Sequence, residues 1–285
     1  MMVNHRFLLG CILVSLFAVP GSMTQQYQSQ LFMQSAAASL ARNYEGGEVS
    51  WLLVNSSGSV ISQHWEEAHK PVAIGSLAKP FLALAYGQQH NNAFPHVHCA
   101  GAAGHCWLPK GHGDIGLEEA IAQSCNSYFL SLAKYVDRTR ASTLFASYGL
   151  NGPALESTDE AMIGLNGQWR ETALSFARAY LQLVAEDGDP LHQRIIQGME
   201  LAAQHGTARG IAAAIGTRAL AKTGTAVCLH HPRAEADGFA IVLYPATMPR
   251  LVLLARMHGA TGARAAALAG QMLRTIGIGE AESAK

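Results

Sequence analysis

The chain has 285 residues, enough for one or two domains with a sizeable core. Lys+Arg and Asp+Glu balance at 20 each, so there is no basic excess and nucleic acid is excluded as an expected partner. With only 14% charged residues and 28 glycines, the composition is that of a packed globular chain and not of a disordered tail.

His5 and Arg6 give the N-terminus a weak positive start, and Phe7 to Val19 is apolar without a charge. Pro20, Gly21 and Ser22 break that run, which is short for a bilayer span. Residues 1–23 therefore read as a cleaved export signal or, as second choice, a short uncleaved anchor. The remaining chain, 24–285, is expected as a single domain in the periplasm or another extracytoplasmic space. Leu9-Gly10-Cys11 has the outline of a lipidation box, but the apolar run continues past it.

Gln25 to Asn43 has helical spacing, with Phe32, Ala36 and Leu40 on one face, and Gly46-Gly47 ends it. Val49 to Val54 and Ser59 to Trp65 form a predicted hairpin around Ser56-Ser57-Gly58. Ala73 to Gln88 is an apolar helix with a Gly75-Ser76 start. Asn91 to Gly113 is loop-like and rich in His, Cys and Gly. Leu117 to Val136 is helical with an interruption near Ser124. Further helices are expected at Thr139 to Gly149, Trp169 to Glu186 and Leu191 to Gln204. Ala219 to Leu229, Asp237 to Tyr244 and Arg250 to Met257 are three β-rich segments, and Ala263 to Ile276 is a closing Ala-rich helix. The expected class is α+β: an antiparallel sheet built by both ends of the chain (about 24–72 and 215–285), flanked by terminal helices, with a helical subdomain (about 73–214) beside it.

Three short motifs carry chemistry. In Ser76-Leu77-Ala78-Lys79 the Ser and Lys share one helix face. A Ser hydroxyl needs a base before it attacks, and a Lys one turn away serves if burial or nearby positive charge lowers its pKa. In Ser124-Cys125-Asn126, alternation sends Ser124 and Asn126 one way and Cys125 the other. Ser124 suits proton relay, and Asn126 suits a hydrogen bond to a substrate amide. In Lys222-Thr223-Gly224-Thr225, Gly224 admits a ligand backbone to a strand edge, while Lys222 and Thr223 suit a substrate carboxylate. The N–H of Thr225 can join that of Ser76 as an oxyanion hole. Each motif alone has an ordinary structural explanation: a cap with a solvated Lys, a polar kink, or a strand with a glycine bulge. Their order and spacing together are far more specific.

Taken together, these residues resemble the transpeptidase domain of penicillin-binding proteins within the serine transpeptidase/β-lactamase family. Gly75-Ser76-Leu77-Ala78-Lys79-Pro80-Phe81 is similar to the active-site start of the large members. Gly111-His112-Gly113, Ala120-Ile121 and Ser124 to Phe129 resemble elongation-type transpeptidases, as do Ala177-Arg178-Ala179-Tyr180 and His205-Gly206-Thr207-Ala208. The similarity runs over about 48–275. It implies Ser76, Lys79 and Ser124 as catalytic residues, and Asn126, Lys222, Thr223, Gly224 and Thr225 as substrate-binding residues. There are departures. The chain leaves little room for an N-terminal pedestal, and the stretch from Asn126 to Lys222 is short for a transpeptidase, nearer to class D β-lactamases and β-lactam sensor domains. Yet Leu150 follows Tyr148-Gly149 where class D enzymes carry Asn, and no Glu is assignable to activating a deacylating water.

Cys99, Cys106, His112 and Cys125 can form a closed tetrahedral zinc set, and by resemblance His112, Cys125 and Cys106 fall at metal-ligand positions of some elongation-type transpeptidases. A Cys99–Cys106 disulfide with Cys125 as a buried thiol is the alternative that export permits. His96, His98 and His105 are substitute ligands or solvated loop residues. Cys228 is expected as a small buried strand residue. Trp65, Trp107 and Trp169 are expected in the core or a pocket wall, Arg209 and Arg218 on the surface, and His230-His231 in an exposed loop.

The resemblance implies a serine D,D-transpeptidase or carboxypeptidase acting on peptidoglycan stem peptides and binding β-lactams, with cell-wall synthesis proteins as partners. A class D-like β-lactamase and a non-turning-over sensor or scaffold are the alternatives.

Overall fold

The computed structural model describes residues 21–228 and 236–279. Residues 1–20 of the segment expected to be an export signal, with Cys11, and His230-His231 lie outside the described residues, while Gly21 to Met23 fall in the first helix.

The first helix, α1 (Gly21–Asn43), is followed by β1 (Val49–Asn55) and β2 (Val60–His64). After a short strand, β3 (Val72–Ala73), a 3-10 turn at Gly75–Ala78 runs directly into α2 (Lys79–Gln89). The stretch predicted as a loop contains a small hairpin, β4 (Val97–Cys99) and β5 (Gly113–Ile115), around a second 3-10 turn at Gly101–Gly104. The helical part continues with α3 (Leu117–Ala122), α4 (Asn126–Ala133), α5 (Arg138–Ser147) and α6 (Asp159–Met162). It ends with β6 (Arg170–Glu171), α7 (Ala173–Ala185), α8 (Pro190–Gln204) and α9 (Gly210–Ile215). Three long strands then follow, β7 (Leu220–Val227), β8 (Ala236–Tyr244) and β9 (Leu251–His258), and α10 (Gly262–Thr275). Among the described residues, no helix is long and apolar enough to cross a membrane.

The main sheet has the order β2-β1-β9-β8-β7 and is antiparallel throughout. This is the expected sheet, built from both ends of the chain. Every residue from Asp237 to Leu243 is buried, because both faces of the sheet are covered, so the strand reads as a continuous apolar run and not as an alternating one. One face packs against α1, α9 and α10 through Leu40, Trp51, Leu53, Ile211 and Leu273. Ala265, Ala266, Ala269 and Gly270 keep the inner side of α10 small and let it lie close to its neighbours. The other face packs against the helical part through Leu52, Val54, Phe239, Phe81 and Phe176.

Helix starts follow their local signals. Asp137, Thr172 and Asp189 each accept a hydrogen bond from the backbone N–H three residues on, and Pro190 occupies the first turn of α8. The predicted helix Trp169 to Glu186 begins later, at Ala173, because Arg170 and Glu171 pair with Val72 and Ala73 instead.

Candidate active site

Ser76 lies in the middle of the 3-10 turn, so Ser76 and Lys79 are brought onto one face by a tighter turn than the α-helix expected there. Close backbone contacts hold the turn. Gly75 has φ +57, and a Cβ on it would lie 2.5 Å from the carbonyl oxygen of Thr225. Gly164 has φ +81, and a Cβ there would lie 1.8 Å from the Gly75 oxygen. The Tyr180 hydroxyl, fully buried, donates to the Leu77 carbonyl at 2.8 Å. The serine turn is thus wedged between β7 and the loop around Gly164. Gly164→Ala is expected to lower stability by about 3 kcal/mol and slow acylation, because a Cβ there meets backbone in a left-handed conformation. Thermal melting and a penicillin-labelling time course check this.

The three motifs converge as expected. Lys79 Nζ donates to the Ser124 carbonyl at 2.7 Å, to Asn126 Oδ1 at 2.6 Å and to Ser124 Oγ at 3.3 Å. Lys222 Nζ donates to Ser124 Oγ at 2.9 Å and to the Thr223 carbonyl at 2.8 Å. Both lysines are 0% exposed. Ser124 has φ +53, a strained setting for a residue with a side chain, and it joins α3 to α4. Burial lowers Lys79 to about 7, with Cys125 and Cys106 acting in the opposite direction. Burial, reinforced by the charge of Lys79, pushes Lys222 well below its ordinary value. A Ser hydroxyl therefore sits between two amines that are both easily deprotonated.

A cavity of about 350 Å³ opens above this network. Ser76, Ser124, Asn126 and Thr223 to Thr225 border it. Trp107, Leu165, Thr207, Thr261, Gly262 and Ala263 complete its wall. Lys79 and Lys222 lie beneath this wall and not on it. The Asn126 side chain is occupied, with Oδ1 held by Lys79 and Nδ2 near the His105 carbonyl at 3.4 Å.

No family model and no curated protein matches the sequence. Solved structures do. Pseudomonas aeruginosa PBP2 in complex with WCK 5153 is 18% identical and superimposes with a TM-score of 0.69 over 89% of this chain and 76% of that one. The TP domain of Burkholderia pseudomallei penicillin-binding protein 3 gives 15% and 0.65, covering 89% of this chain and 96% of that one. Helicobacter pylori PBP2, in its complex with MreC, gives 15% and 0.67, covering 87% and 63%. The chain has the fold of a penicillin-binding-protein transpeptidase domain.

Within this transpeptidase fold, Cys125 joins a cluster with Cys99, Cys106 and His112, and it sits between a left-handed Ser124 and the start of α4 rather than in the alternating stretch expected. None of the three cysteines is in a disulfide. Cys99 Sγ and Cys106 Sγ lie 3.4 Å and 3.5 Å from His112 Nδ1, and Cys106 Sγ lies 3.9 Å from Cys125 Sγ. A tetrahedral zinc with bonds of about 2.3 Å to sulfur and 2.0–2.1 Å to nitrogen requires S···S edges of about 3.8 Å and S···N edges of about 3.5 Å. The donor set fits. His112 Nε2 is buried with no hydrogen-bond partner among the described residues. Burial opposes a thiolate at Cys99, but hydrogen bonding with Ser127, the Gly101 backbone and His112 outweighs it and holds the thiol at about 5. Burial pushes Cys125 up. His98 pairs with Asp114, and neither it, His96 nor His105 belongs to the cluster.

Trp65 and Trp169 are buried, whereas Trp107 is 52% exposed and forms cavity wall, edge-on to His112. Thr207 is a cavity residue that the sequence does not mark, with its Oγ1 2.6 Å from Thr223 Oγ1. Its tetrapeptide resembled the family, but a lone Thr in a turn carries no chemical signal of its own. Cys228 departs from its expected place. It is half-buried just past the end of β7, and its neighbours are Asp237 and His258 rather than apolar core.

Proposed function

We propose that the protein is a serine acyltransferase of the D,D-peptidase type, acting on peptidoglycan stem peptides in the periplasm and acylated by β-lactams. The observation that carries this reading is the convergence of Ser76, Ser124 and Thr223 to Thr225, from three distant segments, on one cavity, with Lys79 and Lys222 joined to Ser124 beneath its wall. The Ser76 oxygen attacks the carbonyl preceding the terminal D-Ala. Its proton passes to the neutral Lys79 amine, and as Ser124 gives its hydroxyl proton to the leaving D-Ala amine, Lys79 passes the proton it took to Ser124 Oγ, so both groups return to their starting states. The backbone N–H groups of Ser76 and Thr225 face the developing oxyanion. β7 is the edge strand of the sheet, so an extended peptide can lie along it, with Gly224 leaving room for its backbone and the Thr223 and Thr225 hydroxyls available to its carboxylate. An amine or water then resolves the acyl-enzyme.

Cys99, Cys106, His112 and Cys125 would hold one zinc ion. With four protein ligands such an ion has a structural role. It would anchor Cys125, and so the Ser124-to-Asn126 turn, against the β4–β5 hairpin. Cell-wall synthesis proteins are the proposed partners, supported by the solved complex of the H. pylori neighbour with MreC.

No Asp or Glu is found among the described residues lining the cavity, which favours a slowly resolved acyl adduct over rapid β-lactam hydrolysis. Intact-mass spectrometry of the chain mixed with benzylpenicillin is expected to show one adduct that persists for minutes or longer. Nitrocefin turnover of many per second would instead assign a β-lactamase. Absence of any adduct would refute the acyl-enzyme.

A further inference from the structure

A second cluster lies on the main sheet, on elements that share nothing with the first. Asp237 of β8 is the cross-strand partner of His258 on β9 and of Ala226 on β7. Cys228 follows Ala226 by two residues, so strand alternation turns all three side chains to one face. The ligand atoms of Cys228, Asp237 and His258 all lie within 4.8 Å of one another. His258 Nδ1 is 2.6 Å from Asp237 Oδ1 and 3.9 Å from Cys228 Sγ. The His and Asp side chains are only 7% and 2% exposed, while Cys228 is half-buried. Arg256, two residues before His258 on β9, is 3% exposed, donates to Ser50 Oγ and stacks over Trp65 at 4.5 Å.

We propose that Cys228, Asp237 and His258 form a metal site for a divalent ion of zinc type at the end of the strand that borders the active-site cavity. A thiolate, an imidazole and a carboxylate are a mixed donor set that suits zinc, cobalt or nickel and is too soft for magnesium or calcium. The thiolate and carboxylate together match the charge of a divalent ion, and they also face the buried Arg256 guanidinium, whose positive charge opposes binding. On binding, the thiol releases its proton to solvent, and the imidazole keeps a single proton on Nε2. Zinc needs S···N and N···O edges of about 3.5 Å and 3.3 Å, so the sulfur closes on the imidazole by about 0.4 Å and the carboxylate opens from it by about 0.7 Å. Among the described residues these three are the ligands, and water completes a tetrahedral set. The ion ties the end of β7 to β9 across β8, and Cys228 lies three residues beyond Thr225, so the tie stiffens the strand along which a substrate would lie.

The test uses the full chain, reduced and metal-free, and then loaded with Zn(II) or Co(II) alone. Zinc is expected to slow iodoacetamide labelling of Cys228, read by peptide mass, at least about tenfold in the wild type. His258→Gln is expected to lose that protection. Cys228→Ser and His258→Gln are each expected to bind one equivalent of Co(II) fewer than the wild type, with a weaker sulfur-to-cobalt absorption, while penicillin acylation persists. Unprotected Cys228 in the wild type overturns the site without need of any variant. So does a Co(II) content that neither substitution changes, which would leave Asp237–His258 as a plain ion pair.

Discussion

Ser76→Ala is expected to abolish covalent labelling by benzylpenicillin, with no adduct visible by intact mass after hours. The effect is the largest available because the substitution removes the only atom that forms the new bond. The fold should survive it. Ser76 is 9% exposed, its side chain borders the cavity, and no hydrogen bond of its hydroxyl is needed to hold the turn, which rests on Gly75, Gly164 and Tyr180. A cysteine or serine elsewhere that still accepts the label in Ser76→Ala would remove the proposed nucleophile, and peptide mapping would locate it.

Lys79→Met is expected to slow acylation by about 10²–10⁴-fold, the usual contribution of a positioned base. The wild-type rate should rise with pH through about 7, since only the neutral amine accepts the serine proton and burial places its titration there. The variant should lack that limb. Stability gives an independent reading with a defined sign. Lys79 is lowered from 10.5 to about 7 on folding, so between these values the native state binds fewer protons than the unfolded chain. The lysine's penalty is complete below about 7 and fades as pH rises towards 10.5. Chemical denaturation at pH 6 and pH 9 should therefore show the difference between variant and wild type shifting in favour of the wild type at the higher pH. A wild-type acylation rate flat across pH 6–8 would remove Lys79 as the titrating base.

The long strands and helices were legible because burial on two faces or one leaves a periodic mark. β7, β8, β9 and α10 each fall within a residue or two of the apolar runs that predicted them. The pairs β3 with β6 and β4 with β5 left no mark, because pairs of two or three residues are set by what packs around them. The catalytic groups were legible through motif order, which gives the identity of the residues but not their depth. That Lys222 lies under the cavity wall, joined to Ser124, depends on the packing of β7 against the turn at Ser124. The Cys228 cluster was visible in principle. A Cys just past one strand end, with Asp and His at paired ends of the next two, shares a face once the register is known, and the register of an antiparallel sheet is what a single sequence specifies least.

The strand order carries a consequence for how the molecule is made. β1, near the start of the chain, is hydrogen-bonded along its length to β9, near the end, with Leu52 opposite Leu254. Nearly all the helical part lies between them. During synthesis the helices can assemble on local contacts, but the central seam of the sheet has to wait until β9 has been made. Bringing such remote partners together is the slow kind of step in protein folding. Until it occurs, the inner edge of the β1–β2 hairpin stays open and the shelf that supports Ser76 is incomplete.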